Sequence, residues 1–467
     1  MNKQVNKLMD TVIKNDYCIG CGICASIEGS PFKMRLNDDG KYIPVLKDNL
    51  SNINLQYSLT SICPFSDDAT DETEIGKQLY SATSTGYDEY SGHYIQSYAG
   101  YVNESDYRER GSSGGMGNWI AAELLEKDLV DGIIHVKTNE NDTEPLFHYG
   151  ISTSVAELKQ ESKSKYYPIE MSEIINFVRN NEGRYALIGI PCFIKSIPLL
   201  SEKDNIIKDR LKYTIGLVCG HLKSDMFAKS IGWELGIEPN NLTAIDFRKK
   251  LADRPANHYG VEVTGLVGSE EKTFTSPTKE LYVTNWGQGH FKYNACEFCD
   301  DVLAETADIT VGDAWLPQYQ ADSMGTNVVI VRHPEIQEII NNAGDKLHLD
   351  ELDADDVYQS QAGGFRHRRD GLAHRLYLKD QQNIWRPEKR VKATDKTKNK
   401  RKKIYEQRGK LSKESFRAFK VAQEKNDFNE FIKYMDPLIE EYNKVNRASL
   451  IRRVLSKIKR RIISVIK

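Results

Sequence analysis

The chain has 467 residues, 39% of them hydrophobic and 28% charged, with eight cysteines and a net charge of −3. That length supports two or three domains and a sizeable core. The charge is uneven: residues 386–467 hold 26 Lys and Arg against 10 Asp and Glu, which leaves an acidic body at −19 and argues against nucleic acid as its partner.

The start, MNKQVNKLMD, has no apolar run and no small-residue cleavage site, so no secretory signal is expected. The most apolar stretch, YALIGIPCFI at 185–194, is too short to cross a bilayer. A cytoplasmic protein is the expectation. Thiols stay reduced in that compartment, so the cysteines read as metal ligands or catalytic groups rather than disulfides.

The first element with chemistry is KNDYCIGCGICASIEG, which places Cys18, Cys21 and Cys24 at a three-residue step. Structural zinc sites usually join two separate knuckles. Three thiols at CxxCxxC suit the corner of a cubane, where each thiolate takes a different iron, and such a triplet needs a remote Cys-Pro as fourth ligand. Cys63-Pro64 supplies one, with 38 residues between Cys24 and Cys63. The pattern predicts a 4Fe-4S cluster on Cys18, Cys21, Cys24 and Cys63, with Gly20 and Gly22 letting backbone amides approach the inorganic sulfides. Zinc and unliganded thiols are the rival readings. Residues 1–80 contain this cysteine set and are followed by a small, polar stretch that reads as a linker, SATSTGYDEYSG.

From residue 93 the pattern becomes strand, glycine loop, helix, strand: HYIQSYAGYV, RERGSSGGMG, NWIAAELLEKD, LVDGIIHV. MSEIINFVRNNEGRYALIGIP repeats helix, glycine stop and buried strand, and LKYTIGLVCG is a further buried strand. Alternation of this kind predicts an α/β core with a mixed sheet over residues 93–380. The glycine loop fits neither GxGxxG nor GxxxxGK[ST]. Alone it reads as a flexible loop with a helix cap or as a phosphate-facing helix N-terminus.

Cys192 and Cys219 fall at the ends of two buried strands, where ligands gather in α/β sheets, and Cys296 and Cys299 form a CxxC pair. The eight cysteines therefore divide into two sets of four. The alternatives are buried structural cysteines and a redox dithiol.

CEFCDDVLAETADITVGDAWLP at 296–317 resembles a signature of the β subunits of coenzyme F420-reducing hydrogenases and dehydrogenases. GSSGGMG, SKSKYYPIEMSEIINFV, ALIGIPCFIKSIPLL, IDFRKK and DSMGTNVVIVRHP match that family in order, over roughly residues 15–335. The resemblance implies an iron–sulfur flavoprotein with a ferredoxin-like 4Fe-4S domain over residues 1–80, an α/β FAD-binding domain over residues 93–380, and a second 4Fe-4S cluster on Cys192, Cys219, Cys296 and Cys299. It also implies FAD contacts at Ser113, Gly114, Gly115 and Met116, and at Ser164, Lys165 and Tyr166. Two departures stand out: Cys219-Gly220-His221 where many relatives read Cys-His-Gly, and no tryptophan directly after FRKK. The expected function is an oxidoreductase passing electrons between a ferredoxin-like one-electron partner and FAD, then to or from a two-electron small-molecule substrate. The rival is a non-enzymatic electron-relay subunit. His221 and His290 lie nearest the motifs and read as structural histidines before proton donors.

Residues 386–467 predict a basic helical extension. Its last stretch, SLIRRVLSKIKRRIISVIK, spaces apolar residues at three and four with cations between them. That is a basic amphipathic helix, suited to peripheral contact with anionic lipid or to docking on the acidic body or on a partner, with a disordered tail as the remaining reading.

Overall fold

A computed structural model describes residues 3–48, 55–139, 145–252 and 254–447. The amphipathic segment 449–467 lies outside the described residues.

The helix Lys3–Leu8 runs on into a π-turn, Met9–Ile13, and buries Val5, Leu8 and Val12, spaced three and four apart on one face. The short helix Ile23–Ser26 follows the cysteine triplet. Strands β1 (Phe32–Leu36) and β2 (Tyr42–Leu46) pair antiparallel. Asp71 starts the helix Glu72–Tyr80 by accepting from the N–H groups of Thr73 and Glu74. The polar stretch expected as a linker supplies the first strand and the turn of a small hairpin, β3 (Gly86–Asp88) and β4 (Gly92–Tyr94). Its turn is local chemistry: the Asp88 carboxylate accepts from the N–H groups of Tyr90 and Ser91 at 2.9 and 3.1 Å.

The α/β core is one eight-stranded mixed sheet. Its early strands are β5 (Gln96–Val102), β6 (Gly132–Thr138), β7 (Phe147–Ser152), β8 (Tyr185–Gly189) and β9 (Leu211–Leu217). A separate antiparallel sheet of β10 (Leu242–Lys249), β11 (Gly260–Val267) and β12 (Glu270–Pro277) interrupts them. Then β13 (Ile309–Asp313), β14 (Asn327–Val331) and β15 (Leu347–Glu351) complete the main sheet in the order β15-β5-β14-β13-β9-β8-β6-β7. The centre, β13-β9-β8-β6, is parallel, and antiparallel strands flank it.

Alternation along each strand splits the core into two faces. Ile133, Ala186, Val329 and Val331 pack under the helices Met116–Glu126 and Pro334–Asn341. Ile134 and Leu187 face the other way, into one cluster with Phe193, Ile194 and the N-terminal Val5, Leu8, Phe32 and Phe65. The cysteine-bearing N-terminal residues thus roof one face of the sheet, and this brings the two cysteine sets near each other.

The C-terminal helices Asn399–Lys425 and Phe428–Asn446 form an antiparallel pair, reversed at Asn426 in the left-handed region (φ +49°). Phe419, Phe431 and Met435 pack with Phe227, Phe247, Val263 and Phe291, so the pair docks on the small sheet and the helix Asp225–Glu234. Its charge meets the acidic body through ion pairs. Lys420 reaches Asp39 at 2.6 Å, and upstream Arg390 reaches Glu305 at 2.7 Å and Lys389 reaches Asp300 at 3.8 Å.

Candidate functional site

The CxxCxxC loop is shaped by two glycines. Gly20 and Gly22 have φ of +70° and +82°, a region that other L-residues enter only under strain. A Cβ on Gly20 would stand 2.6 Å from the carbonyl oxygen of Tyr42 in β2. Gly22 caps the helix that carries Cys24, and the Gly20 N–H donates to the Cys18 Sγ at 3.3 Å. Cys63 closes the set just after the helix Leu59–Ile62. Cys18, Cys21, Cys24 and Cys63 line one cavity, otherwise walled mainly by apolar side chains such as Leu8, Val12 and Met34. Burial pushes the Cys18 thiol up to about 12 and raises Cys21, Cys24 and Cys63 as well.

Cys192 lies in the first turn of the helix Pro191–Ser201, directly after β8, and Cys219 lies two residues beyond β9. Cys296 and Cys299 come from a tight turn whose Asn294–Phe298 segment is 3₁₀. These four thiols line a second cavity. The Leu222 N–H donates to the Cys296 Sγ at 3.3 Å. Burial raises Cys192 well above its ordinary value, Cys219 to about 12 and Cys299 to about 11, with the Arg368 guanidinium pulling the last two back. Ile19 and Phe65 line both cavities and form the wall between them. Among the described residues no group of three or more His, Cys, Asp or Glu side chains is arranged to hold a single metal ion.

The glycine loop leads into the helix Met116–Glu126. Gly115 has φ +86°, and a Cβ there would stand 2.7 Å from the Tyr107 backbone, while one on Gly114 would stand 2.6 Å from the Gly100 carbonyl oxygen. Both glycines therefore serve close packing of the loop on the chain's own backbone. The Ser113 hydroxyl donates to the Thr326 carbonyl and the Met116 N–H donates to the Asn327 Oδ1. The Ser164 N–H donates to the Ser112 Oγ at 2.9 Å, which joins the Ser-Lys-Tyr segment to the loop. Lys165 pairs with Glu161 at 3.3 Å, and the Tyr166 hydroxyl accepts from Arg248 at 3.3 Å.

Beside the loop stand cations that the sequence pattern did not single out, although they sit in FRKK. Arg248 forms a two-pronged pair with Asp313, 2.9 Å on each prong, and donates to the Ser112 carbonyl. Its Nε is buried without a partner. The Lys250 ammonium donates to the carbonyls of Arg108 and Ser113, and no described carboxylate pairs with it. Burial, together with Lys163, Arg108 and Arg248 nearby, pulls Lys250 down to about 7. Trp286 is a second residue the pattern did not reveal: its ring meets Tyr166 at 4.9 Å and His221 at 4.4 Å, so an aromatic patch spans the distance from the Cys219 turn to the Ser-Lys-Tyr segment. His290 is fully buried and stacked on Tyr282, and burial lowers it to about 3. His221 is likewise buried and held neutral, first by burial and then by nearby Lys223 and Lys292.

Residues 97–176 match the N-terminal part of the beta subunit of coenzyme F420 hydrogenase/dehydrogenase, and residues 182–356 match the C-terminal part of the same family. Together the two matches cover more than half of the chain. The chain belongs to the coenzyme F420 hydrogenase/dehydrogenase beta subunit family. As its name states, this is a family of hydrogenase and dehydrogenase subunits, which places the chain in redox chemistry. An uncharacterized protein of Methanocaldococcus jannaschii is 24% identical over 238 residues, 50% of this chain and 78% of that protein. A chain in the xenon-derivatised F420-reducing NiFe hydrogenase complex of Methanosarcina barkeri is 15% identical, with a TM-score of 0.47 over 63% of this chain and 96% of that one. Among the described residues no helix is long and apolar enough to cross a membrane.

Proposed function

We propose that this family member is an iron–sulfur flavoprotein oxidoreductase that exchanges electrons with a ferredoxin-like partner on one side and a two-electron small-molecule substrate on the other. The carrying observation is that all eight cysteines fall into two sets of four, each around its own buried cavity, with one shared wall.

The residues fit two 4Fe-4S clusters, on Cys18, Cys21, Cys24 and Cys63 and on Cys192, Cys219, Cys296 and Cys299. Each set offers four soft sulfur donors around a volume rather than around a point, and a zinc ion draws its four ligands to one point. Thiol ligands give up their protons when they bind a cationic core. The glycine loop fits FAD through its cations. The partnerless Arg248 Nε and the Lys250 ammonium are donors left over for an anion such as a pyrophosphate. Ser113, Gly114, Gly115, Met116, Ser164, Lys165 and Tyr166 are the contacts we assign to the flavin; of these, Ser113 and Tyr166 bond directly to Lys250 and Arg248. When bound, such clusters exchange single electrons and the flavin exchanges one or two, which links the two kinds of partner. The chain itself supplies dry walls at Ile19 and Phe65, backbone amides to sulfur at Gly20 and Leu222, and the aromatic patch at Trp286 and Tyr166.

Anaerobic purification with iron, sulfide and flavin assayed on one sample tests this. About eight iron atoms per chain, four for each cluster, and one flavin are expected. Cys63→Ala should lose about four iron atoms, and alanine at Cys192, Cys219, Cys296 or Cys299 should each abolish one and the same EPR species. Full iron in Cys63→Ala, or a Cys296/Cys299 pair that cycles to a disulfide with iron unchanged, refutes the ligand assignment. Clusters without flavin would leave an electron relay instead of an enzyme.

A further inference from the structure

We propose that Arg368 sets the reduction potential of the second cluster, raising it above the value the four thiolates alone would give. The inference rests on the cluster reading of Cys192, Cys219, Cys296 and Cys299.

Arg368 is the last residue of the helix Ala354–Arg368, beyond the part of the chain that matches the family. It is 2% exposed, and it is the one charged side chain among the residues lining the second cavity. Its guanidinium donates to the carbonyls of Asp301 at 3.0 Å, Cys219 at 3.0 Å and Gly220 at 2.7 Å. These bonds grip the turns that carry two of the four sulfurs, so the charge is fixed in place. No described carboxylate pairs with it. The acidic side chains beside the CxxC pair are committed elsewhere: Glu297 pairs with Lys292 and Arg375, Asp300 is met by Lys389 at 3.8 Å and by Arg390 at 3.5 Å, and Asp301 caps the following turn through the N–H groups of Leu303 and Glu305. A full positive charge in a dry site therefore acts mainly on the sulfur side.

Reduction adds one negative charge to a cluster. A fixed cation at its edge favours the reduced form, and net charge around the site is one of the levers that set such potentials. Arg368 touches no substrate, so it is a positioning residue. The charge and the three hydrogen bonds are separable by substitution, because Lys keeps the charge and loses the fork, whereas Gln loses the charge and keeps an amide donor.

The test is an EPR-monitored redox titration of the anaerobically purified full chain, wild type against R368Q and R368K, read separately for the two clusters. In R368Q the second cluster should become harder to reduce by at least tenfold in the one-electron equilibrium, which is 59 mV more negative. The first cluster should stay unchanged, and R368K should stay within that margin of wild type. An unshifted second cluster in R368Q overturns the proposal, as does an equal fall in R368Q and R368K, which would assign the effect to hydrogen bonding. If R368Q assembles no second cluster, R368K decides: a potential held at the wild-type value supports the charge role, and a tenfold fall refutes it. Wild-type protein with iron and EPR for one cluster alone overturns the cluster reading and this inference together, whereas two clusters without a shift overturn Arg368 alone.

Discussion

Phe65 is the residue whose removal most directly tests the wall between the two cysteine sets. It is 3% exposed, lines both cavities and carries the Lys389 ammonium over its ring at 4.5 Å. Phe65→Ala loses the packing of a buried aromatic ring, about 3–5 kcal/mol, and a cation–π contact of about 1 kcal/mol. Lys389 retains Asp300, so it is not left as a bare buried charge. The expected loss is therefore about 4–6 kcal/mol. Unfolding entropy of about 2.1 cal/mol/K per residue gives about 1 kcal/mol/K for a chain of this length melting as one unit. The melting temperature of the anaerobic protein should accordingly fall by about 4–6 °C, with iron released at the lower temperature. Phe65→Leu, which keeps most of the volume, should fall by about 1 °C. A Phe65→Ala protein that melts within 1 °C of wild type, or a leucine variant as unstable as the alanine one, refutes the reasoning.

Lys250→Met should weaken FAD binding at least tenfold, about 1.4 kcal/mol, with both clusters intact; unchanged affinity by flavin fluorescence titration puts the anion elsewhere. This variant is sharper than a bulky residue at Gly114 or Gly115, where a side chain would strike the Gly100 or Tyr107 backbone whether or not flavin binds. His135 in β6 is buried against Ser152 at 2.8 Å, and burial lowers it to about 4. The unfolded chain binds that proton first, near 6.5, so His135 destabilises the fold as pH falls from about 6.5 to about 4 and has no such effect above 6.5. His135→Gln should flatten the decline in stability over that window, and an equally steep decline in denaturant titrations would count against it. The segment 449–467 should carry the full chain down with anionic vesicles in a salt-reversible way, while a chain ending at Ala448 stays in the supernatant. Equal pelleting of both chains, or of neither, removes lipid as the partner and leaves a docking role.

Much of the candidate site was legible in the sequence because its signals are local or strongly patterned. Cys18 and Cys21 sit on one loop and Cys24 in the short helix that it leads into, and their regular spacing brings three thiols to one volume. Strand-end placement of Cys192 and Cys219 follows from apolar runs that stop at glycine or proline, and β8 and β9 end where those runs end. The strand-loop-helix-strand order around the glycine loop was likewise set by periodicity, and the observed elements follow it. The family signature at 296–317 reads directly from residue order.

Other features depend on contacts between residues far apart in the chain, where no local pattern exists. Ile19 and Phe65 become a shared wall because the N-terminal residues roof the face of the sheet that carries Leu187 and Phe193. The glycines of the loop look like a ligand cradle in sequence, yet their neighbours are Gly100 and Tyr107, which only the fold brings close. Lys250 reads as one cation among many in FRKK; its singular position comes from which carboxylates the fold gives to Arg248 and Arg108 and withholds from it. Arg368 lies 69 residues beyond Cys299 and reaches its cavity through the docking of one helix end. Spacing along a chain determines which thiols a loop can present, whereas burial and the pairing of charges are properties of the packed molecule, so the sequence alone determined how the eight thiols are spaced and the tertiary structure decided the charges that surround them.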